Sequence, residues 1–398
     1  MINVLDPVKH NSAAAAEVVT LDAAGRATLS HPGVVASLPI AVKDSKGVTT
    51  YKPQTDYVLD PVSGKLSRVT TGAIAPLSTL SVDYSFADPS KVTAADVIGG
   101  VDDAARRTGM QQLQDGYSAV GYYAKILIAP VFSTQASVSA ALTALAAKIR
   151  AITFFDAPSG LTPQQVIQAR GAGGNLNLYT SSERAVPCYP YVKIYDKATD
   201  SNVLAPLSAR AAGIQSRRDQ ENGYWYSPSN TEILGIVGLE RPIYAMINDP
   251  NSETNQLNAA GITTVFASFG TGYRLWGNRS AAYPSETGPK QFINIRRTAD
   301  IIEESLEYFS LQYIDGPLSN ALIDAVVESG NGFIRKLKGD GAVLDGRVWY
   351  DKGRNPKEEL AAGHLTLSYD FMPPPPAERI TFTSSVNIDY LANLGAKS

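Results

Sequence analysis

Residues 270–317, GTGYRLWGNRSAAYPSETGPKQFINIRRTADIIEESLEYFSLQYIDGP, place a strand, a Trp-Gly-Asn-Arg turn and a long amphipathic helix in close succession. The helix is read from Ile302, Leu306, Phe309 and Tyr313, which recur at i, i+4, i+7 and i+11 as one apolar stripe, while Glu303, Glu304 and Glu307 face elsewhere. Asp300 follows Arg296 by four positions and Arg297 by three, a spacing worth about 0.2–0.5 kcal/mol per pair on a helix surface. No base, metal-ligand set or phosphate loop accompanies these residues. The stretch therefore reads as architecture rather than as a catalytic centre.

Working outward, a chain of 398 residues exceeds a single compact core, so two or three domains are expected. Hydrophobic residues at 44% and charged residues at 18% give ample core material and exclude a disordered chain. The net charge of -3, from 35 basic and 38 acidic residues, supplies no basic domain for a nucleic-acid partner. One cysteine, Cys188, excludes an internal disulfide framework and a cysteine zinc cluster, and fits synthesis in a reducing compartment. The opening MINVLDPVKHNSAAAAEVVTLD lacks the cationic start and apolar stretch of a signal peptide. The most apolar windows, such as 122–132, are interrupted by Lys125 and Pro130 and fall short of the roughly 20 residues of a bilayer span. Membrane insertion is not expected.

The texture of the chain predicts an α+β or α/β multidomain fold. Residues 1–20 lack helical period and read as an extended arm. Residues 21–90 are β-rich, with Ser63-Gly64 between two alternating runs as a hairpin signal. Over 91–272 strands and helices alternate: an apolar run at 123–129, helical spacing at Val138, Leu142, Leu145 and Ile149 behind Ser133 and Thr134 as caps, and a second run at 151–155. A capping box with proline follows at Thr162-Pro163-Gln164-Gln165, then a strand over 186–195 and a helix over 206–218. Such repeats predict a mostly parallel sheet with helices on its faces. Residues 373–398 read as a carboxyl-terminal arm.

An α/β sheet invites an enzyme reading, since ligands bind at the carboxyl ends of such strands. The motifs argue against it. Gly171-Ala172-Gly173-Gly174 follows a helix, whereas a phosphate-binding glycine loop must open one. Gly116-Tyr117-Ser118-Ala119-Val120 lacks the second glycine of a nucleophile elbow. Only His10, His31 and His364 exist, too few and too scattered for a Ser-His-Asp relay or a multi-histidine metal site. Adjacent carboxylates at Asp102-Asp103 and Glu303-Glu304 diverge by about 100° on a helix. Arg217, Arg218, Arg296 and Arg297 lack the interleaved aromatics of a nucleic-acid surface, and salt bridging is the better role. No catalytic residue, cofactor or metal is expected.

The arm beyond the four prolines 373–376 alternates. Ile380, Phe382, Val386, Ile388 and Tyr390 share one face of a period-2 strand, and Thr381, Thr383, Ser385, Asn387 and Asp389 the other. The prolines form a polyproline II spacer of about 3.1 Å per residue that projects the strand away from what precedes it. The strand either packs on its own domain or adds to a sheet of another subunit.

The 270–317 stretch resembles the contractile tail sheath proteins of phages and phage-tail-like particles, in which a W-G-x-R turn is followed by a helix with an R-R pair and an I-E-E-S run. Here these are Trp276, Gly277 and Arg279, then Arg296, Arg297, Ile302, Glu303, Glu304 and Ser305. Further segments resemble the family's in the same order: Arg217 to Glu221, Gly223 to Tyr226, Pro228 to Asn230 and Gly235 to Leu239; Leu257-Asn258-Ala259-Ala260-Gly261-Ile262; FIRKLKGDGAVLD over 333–345; and Pro376-Ala377-Glu378-Arg379-Ile380. The 21–87 part resembles only some subfamilies.

The resemblance implies a non-enzymatic subunit of a helical stack of six-fold rings around an inner tail tube protein, capped by baseplate and tail terminator proteins, made in a bacterial host cytoplasm and working in a virion or phage-tail-like particle. It implies a β-rich outer domain at 21–90, an α/β outer or central domain at 91–272 and an inner domain at 273–372. Both arms would exchange strands between subunits, which singles out Val4 and Val18 with Ile380, Phe382, Val386, Ile388 and Tyr390. Arg335, Lys336 and Lys338 are a short basic group for an acidic tube surface, or ordinary solvated side chains. A different self-assembling particle protein and an α/β hydrolase-like enzyme are the alternatives.

Overall fold

The computed structural model describes residues 1–171, 174, 177–246, 248–268, 270 and 272–394; Ala172 and Gly173 of the glycine loop lie outside the described residues. The chain divides into two compact units, residues 1–125 with 131–149 and residues 126–130 with 150–398.

In the first unit seven strands form two sheets. Strands β1 (Asn11–Thr20), β2 (Arg26–Thr28), β3 (Ala41–Asp44), β4 (Thr50–Tyr51), β5 (Tyr57–Asp60), β6 (Lys65–Arg68) and β7 (Thr79–Ala87) are ordered β1-β7-β3-β4 and β2-β6-β5. The expected hairpin is β5–β6, with Tyr57 opposite Arg68 and Gly64 in the turn at φ 70°, a conformation that favours glycine. Leu21, Val42, Leu66, Leu80 and Val82 fill the space between the sheets.

The amino-terminal arm is a correction. Residues 11–20 do not stand free: β1 runs antiparallel to β7 from Asn11 opposite Ala87 to Thr20 opposite Thr79, with a register shift between Ala14 and Glu17. A short non-helical run beside an open strand satisfies its backbone there, and Val19 enters the core. Val18, 70% exposed, therefore belongs to an in-chain strand. His10 is also tied down: its Nδ1 accepts from the Asp6 N–H at 3.0 Å and its Nε2 lies 3.1 Å from Asp96, which also pairs with Lys9. Val4 remains in the unpaired lead segment.

Asp96 closes a capping box with Thr93 on α1 (Ala94–Ile98), a helix that packs with α3 (Ala136–Lys148); the short α2 (Gly116–Val120) lies between them in sequence. Ser133 and Thr134 were expected to cap α3, but they sit in a 3-10 turn and Gln135 occupies the cap position without a side-chain bond.

The second unit contains the parallel step. Strands β8 (Ile126–Leu127), β9 (Ile152–Asp156) and β10 (Ala185–Cys188) are parallel, and α4 (Pro163–Ala169) starts on the predicted Thr162–Gln165 capping box with Pro163 in its first turn. All five residues of β9 are buried, as a strand covered on both faces requires.

Past these strands parallel pairing in this unit dwindles to one isolated bridge, Cys188 to Thr263, and the other strand pairs are antiparallel, which corrects the expectation of a mostly parallel sheet. The run over 186–195 breaks at Tyr189-Pro190, because proline cannot donate to a ladder, and resumes as β11 (Val192–Asp196). This strand pairs antiparallel with β12 (Ser201–Ala205) and, beyond α5 (Leu207–Glu221) and β13 (Thr231–Glu232), with β14 (Gly238–Leu239). After α6 (Glu253–Ala259), β15 (Thr264–Ser268) and β16 (Gly272–Trp276) form a hairpin, with β13 on the far edge of β16.

Helices α7 (Ile293–Ser310) and α8 (Asn320–Gly339) follow, then the antiparallel pair β17 (Asp345–Tyr350) and β18 (Leu367–Met372), with α9 (Lys357–Ala361) between its strands. Ile302 and Leu306 pack with Ile334, Leu337 and Val348, as their stripe predicts. Tyr313 lies beyond the helix in a 3-10 turn. Most of the burial on α7 is in its first half, from Ile293 to Ile302, where Arg297 and Asp300 are buried too.

The expected carboxyl-terminal strand does not form in the single chain. Residues 373–387 carry no regular structure, and Ile388 and Tyr390 lie in a 3-10 turn, Ile388–Asn393. Among the described residues no helix is long and apolar enough to cross a membrane, and no group of three or more His, Cys, Asp and Glu could hold a metal ion.

Candidate functional site

Several of the segments singled out above, scattered over 206–382, meet at the turn after β16. Gly277 has φ 129°, and a Cβ there would stand 2.7 Å from the Asn258 side chain and 3.1 Å from the Thr263 Cα, so the turn admits only glycine. Its N–H donates to Ser229 Oγ at 3.0 Å, and Asn230 accepts from Arg274 at 2.8 Å. With its amide oriented to suit its neighbours, Asn258 donates to the Trp276 and Ile262 carbonyls (3.1 and 2.9 Å) and accepts from Trp276 Nε1 at 3.1 Å. The W-G-x-R turn is thus stitched to the Pro-Ser-Asn and Leu-Asn segments.

The following residues extend the junction to the base of the carboxyl-terminal arm. Asn278 donates to Asn294 Oδ1 at 3.0 Å, and Asn294 donates to the Trp225 and Pro374 carbonyls at 3.1 and 3.2 Å. Arg279 grips Glu378 through Nε and Nη2, at 3.1 and 2.7 Å, while its guanidinium stacks 4.0 Å above the Tyr283 ring. Burial alone would lower the pKa of Arg279, and the Glu378 carboxylate more than reverses it. Around these residues lies an open cleft of about 690 Å³ lined by Trp225, Tyr226, Trp276, Gly341 and residues 374–378.

The arginine pair meets different partners on two faces of α7. Arg297 forks onto Asp219 of α5 at 2.6 and 2.5 Å and reaches the Tyr224 carbonyl at 3.3 Å. Arg296 contacts Glu183 at 3.1 Å, Asp300 at 2.9 Å and Glu303 at 2.8 Å. Asp300, 2% exposed, also takes both Nη groups of Arg184 at 2.7 Å each. Arg150 continues the network to Glu307 at 2.6 and 2.5 Å and to Glu303 at 3.4 Å. Glu304 is half-buried on the same helix.

The spacing of Arg296, Arg297 and Asp300 suggested a surface pair of a few tenths of a kcal/mol. The structure instead shows a network in which Asp300 and Arg297 are buried, where removing one partner costs about 3–5 kcal/mol. Asp300 does not pair with Arg297, which turns to Asp219. The hydrogen bonds from Arg150 hold the Glu307 carboxyl below its ordinary range, and Glu307 in turn raises the Arg150 pKa.

Sequence reasoning missed Arg170. Its guanidinium donates to five backbone carbonyls, those of Ala260, Leu178, Thr180, Ala281 and Tyr283, at 2.5–3.0 Å. Burial pushes its pKa down to about 10. Its only sequence signal was a position at the end of a helix with no acidic neighbour.

The basic group is not an unopposed patch. Arg335 pairs with Glu328 at 2.5 Å, Lys336 with Asp340 at 2.9 Å and Lys338 with Asp345 at 3.1 Å. Three carboxylates therefore balance three cations within the chain.

Comparison with known proteins agrees with this architecture. Residues 105–281 match the phage tail sheath protein central domain, and residues 285–387 match the phage tail sheath C-terminal domain. The chain is 52% identical to the tail sheath protein of Burkholderia phage BcepMu over 396 residues, 99% of this chain and 82% of that protein. The chain belongs to the tail sheath protein family. It is 29% identical to the tail sheath protein of Escherichia phage P2 over 76% of this chain and 73% of that protein.

Its fold is similar to the sheath of an extracellular contractile injection system, PVC, in the contracted state (TM-score 0.57, 19% identity, 75% of this chain and 79% of that chain). It is similar also to the contracted helical sheath of the anti-feeding prophage (TM-score 0.56, 20% identity, 72% and 76%). The chain is thus a structural sheath subunit of a phage tail or phage-tail-like particle, not an enzyme. The motif segments around Trp225, Ser229, Asn258, residues 276–279 and Glu378 are the stitching of one junction and need no reaction to explain them.

Proposed function

We propose that the chain polymerises as stacked six-fold rings around an inner tail tube, and that rigid-body rearrangement of subunits shortens the stack and drives the tube through a target envelope. The observation that carries this reading is the unfinished carboxyl-terminal arm. Ile380, Phe382 and Val386 are 71%, 90% and 97% exposed, and Ile388 and Tyr390 are exposed as well. Five large apolar side chains in water are costly, at about 25 cal/mol per Å² of apolar surface. The same chain carries a sheet in which β17 and β18 pair only with each other among the described residues; Asn331 of α8 takes the Val348 N–H and carbonyl on the outer side of β17, which leaves β18 as the open edge.

An apolar strand without a sheet and a sheet with an open edge complement each other between copies, through main-chain hydrogen bonds and a register fixed by alternate side chains. Contacts of this head-to-tail kind propagate into a helical polymer. Energy is then held in the extended stack as a kinetically trapped packing and released when the baseplate end rearranges.

In this assembly residues 273–372 face the tube, 21–90 and 91–272 lie outside, and the amino-terminal arm is confined to the residues around Val4, Val18 being committed to β1. Arg335, Lys336 and Lys338 are the proposed tube contacts; an acidic tube would have to compete with Glu328, Asp340 and Asp345. The tube, baseplate and terminator proteins are the remaining partners, and synthesis is in the host cytoplasm.

Truncation before Thr383 tests the arm. It should leave folded, soluble subunits that form no long tubes by negative-stain microscopy, and tubes of normal length from the truncated chain would refute it.

A further inference from the structure

The four prolines 373–376 were read as a spacer that throws the arm clear of the body. The structure places them otherwise. Pro373 is buried, Pro374 and Pro376 are half-buried, and 374–376 line the cleft that also contains Trp225 and Trp276. A proline segment against aromatic side chains is a low-entropy docking mode, since its backbone is already extended. Two polar contacts fasten it. Asn294 donates to the Pro374 carbonyl at 3.2 Å, and Arg279 holds Glu378 with two nitrogens, at 3.1 and 2.7 Å. Every residue from Ala377 through Tyr390 is exposed, and within that stretch Glu378 is held by Arg279.

We infer that Arg279, Asn294 and Glu378 form a clamp on the root of the carboxyl-terminal arm, so that the arm pivots at Arg379 rather than at the prolines. Arg279 is held from behind by its stack on Tyr283 and fixed in place by the turn that Gly277 permits. Asn294 is 2% exposed and is oriented by Asn278. The clamp joins the W-G-x-R and P-A-E-x-I segments, 99 residues apart at Arg279 and Glu378. It is a property of the single chain. Its use, launching every arm from one point in one direction so that the strand meets a neighbouring copy in a defined register, rests on the sheath reading.

Trypsin supplies the test, because Arg379 adjoins the clamp and a protease must extend several residues on each side of the bond it cuts. Cleavage after Arg379 requires the clamp to open; chymotryptic cleavage after Phe382, farther along the exposed arm, serves as the reference. Arg279→Met and Glu378→Gln should each raise the ratio of the two rates about fivefold, the upper range for a partly exposed ion pair. The double variant should be no faster than either single one, and Arg279→Lys should fall between. Unchanged ratios with unchanged circular dichroism, or a double variant whose ratio is the product of the singles, would overturn the clamp. Microscopy of the same variants tests its use: shorter or irregular tubes are expected. Normal tubes from an open clamp overturn the assembly role, whereas absence of tubes from the parent chain counts against the sheath reading and leaves the proteolysis result standing.

Discussion

Asp300→Asn is the perturbation that best separates the observed network from a surface helix pair. Asp300 is 2% exposed and accepts from Arg184 at 2.7 Å through both oxygens and from Arg296 at 2.9 Å. The substitution keeps the shape and removes the charge. Arg184 is then left with the Ala151 carbonyl at 3.1 Å, and Arg296 with Glu183 and Glu303. An amide also presents an N–H₂ group to donors. A buried cation losing its carboxylate costs about 3–5 kcal/mol, against about 0.2–0.5 kcal/mol for an exposed i,i+4 pair. At about 2–4 °C per kcal/mol for a unit of this size, the melting transition of the second unit should fall by roughly 6–20 °C. Thermal unfolding followed by circular dichroism checks this. A shift of about 2 °C or less would refute the claim that this network holds α7 to the strands beneath it.

Glu307→Gln should flatten the acid side of the stability profile. The folded-state pKa of Glu307 is depressed by Arg150, so its contribution is present above its ordinary value near 4.5 and is lost as pH falls through the folded value. Urea midpoints at pH 3, 4, 5 and 7 should differ less in the variant than in the parent. Gly277→Ala should lower the unfolding free energy from urea titration by roughly 1–3 kcal/mol from backbone strain alone, with more from the approach to Asn258. Arg170→Lys should cost at least about 2 kcal/mol, since an ammonium cannot reach all five carbonyls and buried acceptors are left unpaired. Arg335→Ala, an exposed pair, should change stability by less than about 1 kcal/mol in the same assay.

Local signals were legible wherever the chain's own neighbours decide the structure. The Thr162–Gln165 capping box, the Gly64 turn and the Ile302–Leu306 stripe all appear where the sequence placed them. Long-range pairing was not legible. Nothing in NSAAAAEVVT says that β7 will offer it an edge, and the i,i+4 spacing pairs Arg296 with Asp300 but does not reveal that Arg297 turns to Asp219. The break at Tyr189-Pro190 was visible in principle, because a proline inside an apolar run argues against one continuous strand.

The site followed the same division. Its motif residues were recognised one by one, while their convergence on a single junction, and the role of Arg170 in it, depend on contacts between segments far apart in sequence. The prolines at 373–376 read as a spacer that projects the arm, whereas 374–376 line the cleft at the junction, a placement set by contacts with distant segments.

Hydrogen exchange over residues 380–390, compared between free subunits and assembled tubes, tests the central claim most directly. In the single chain these amides have no ladder partner. If the arm completes a sheet in another copy, alternate amides across 380–390 should become strongly protected on assembly, together with the outer edge of β18. Tubes in which those amides exchange as fast as in the free subunit would contradict the account.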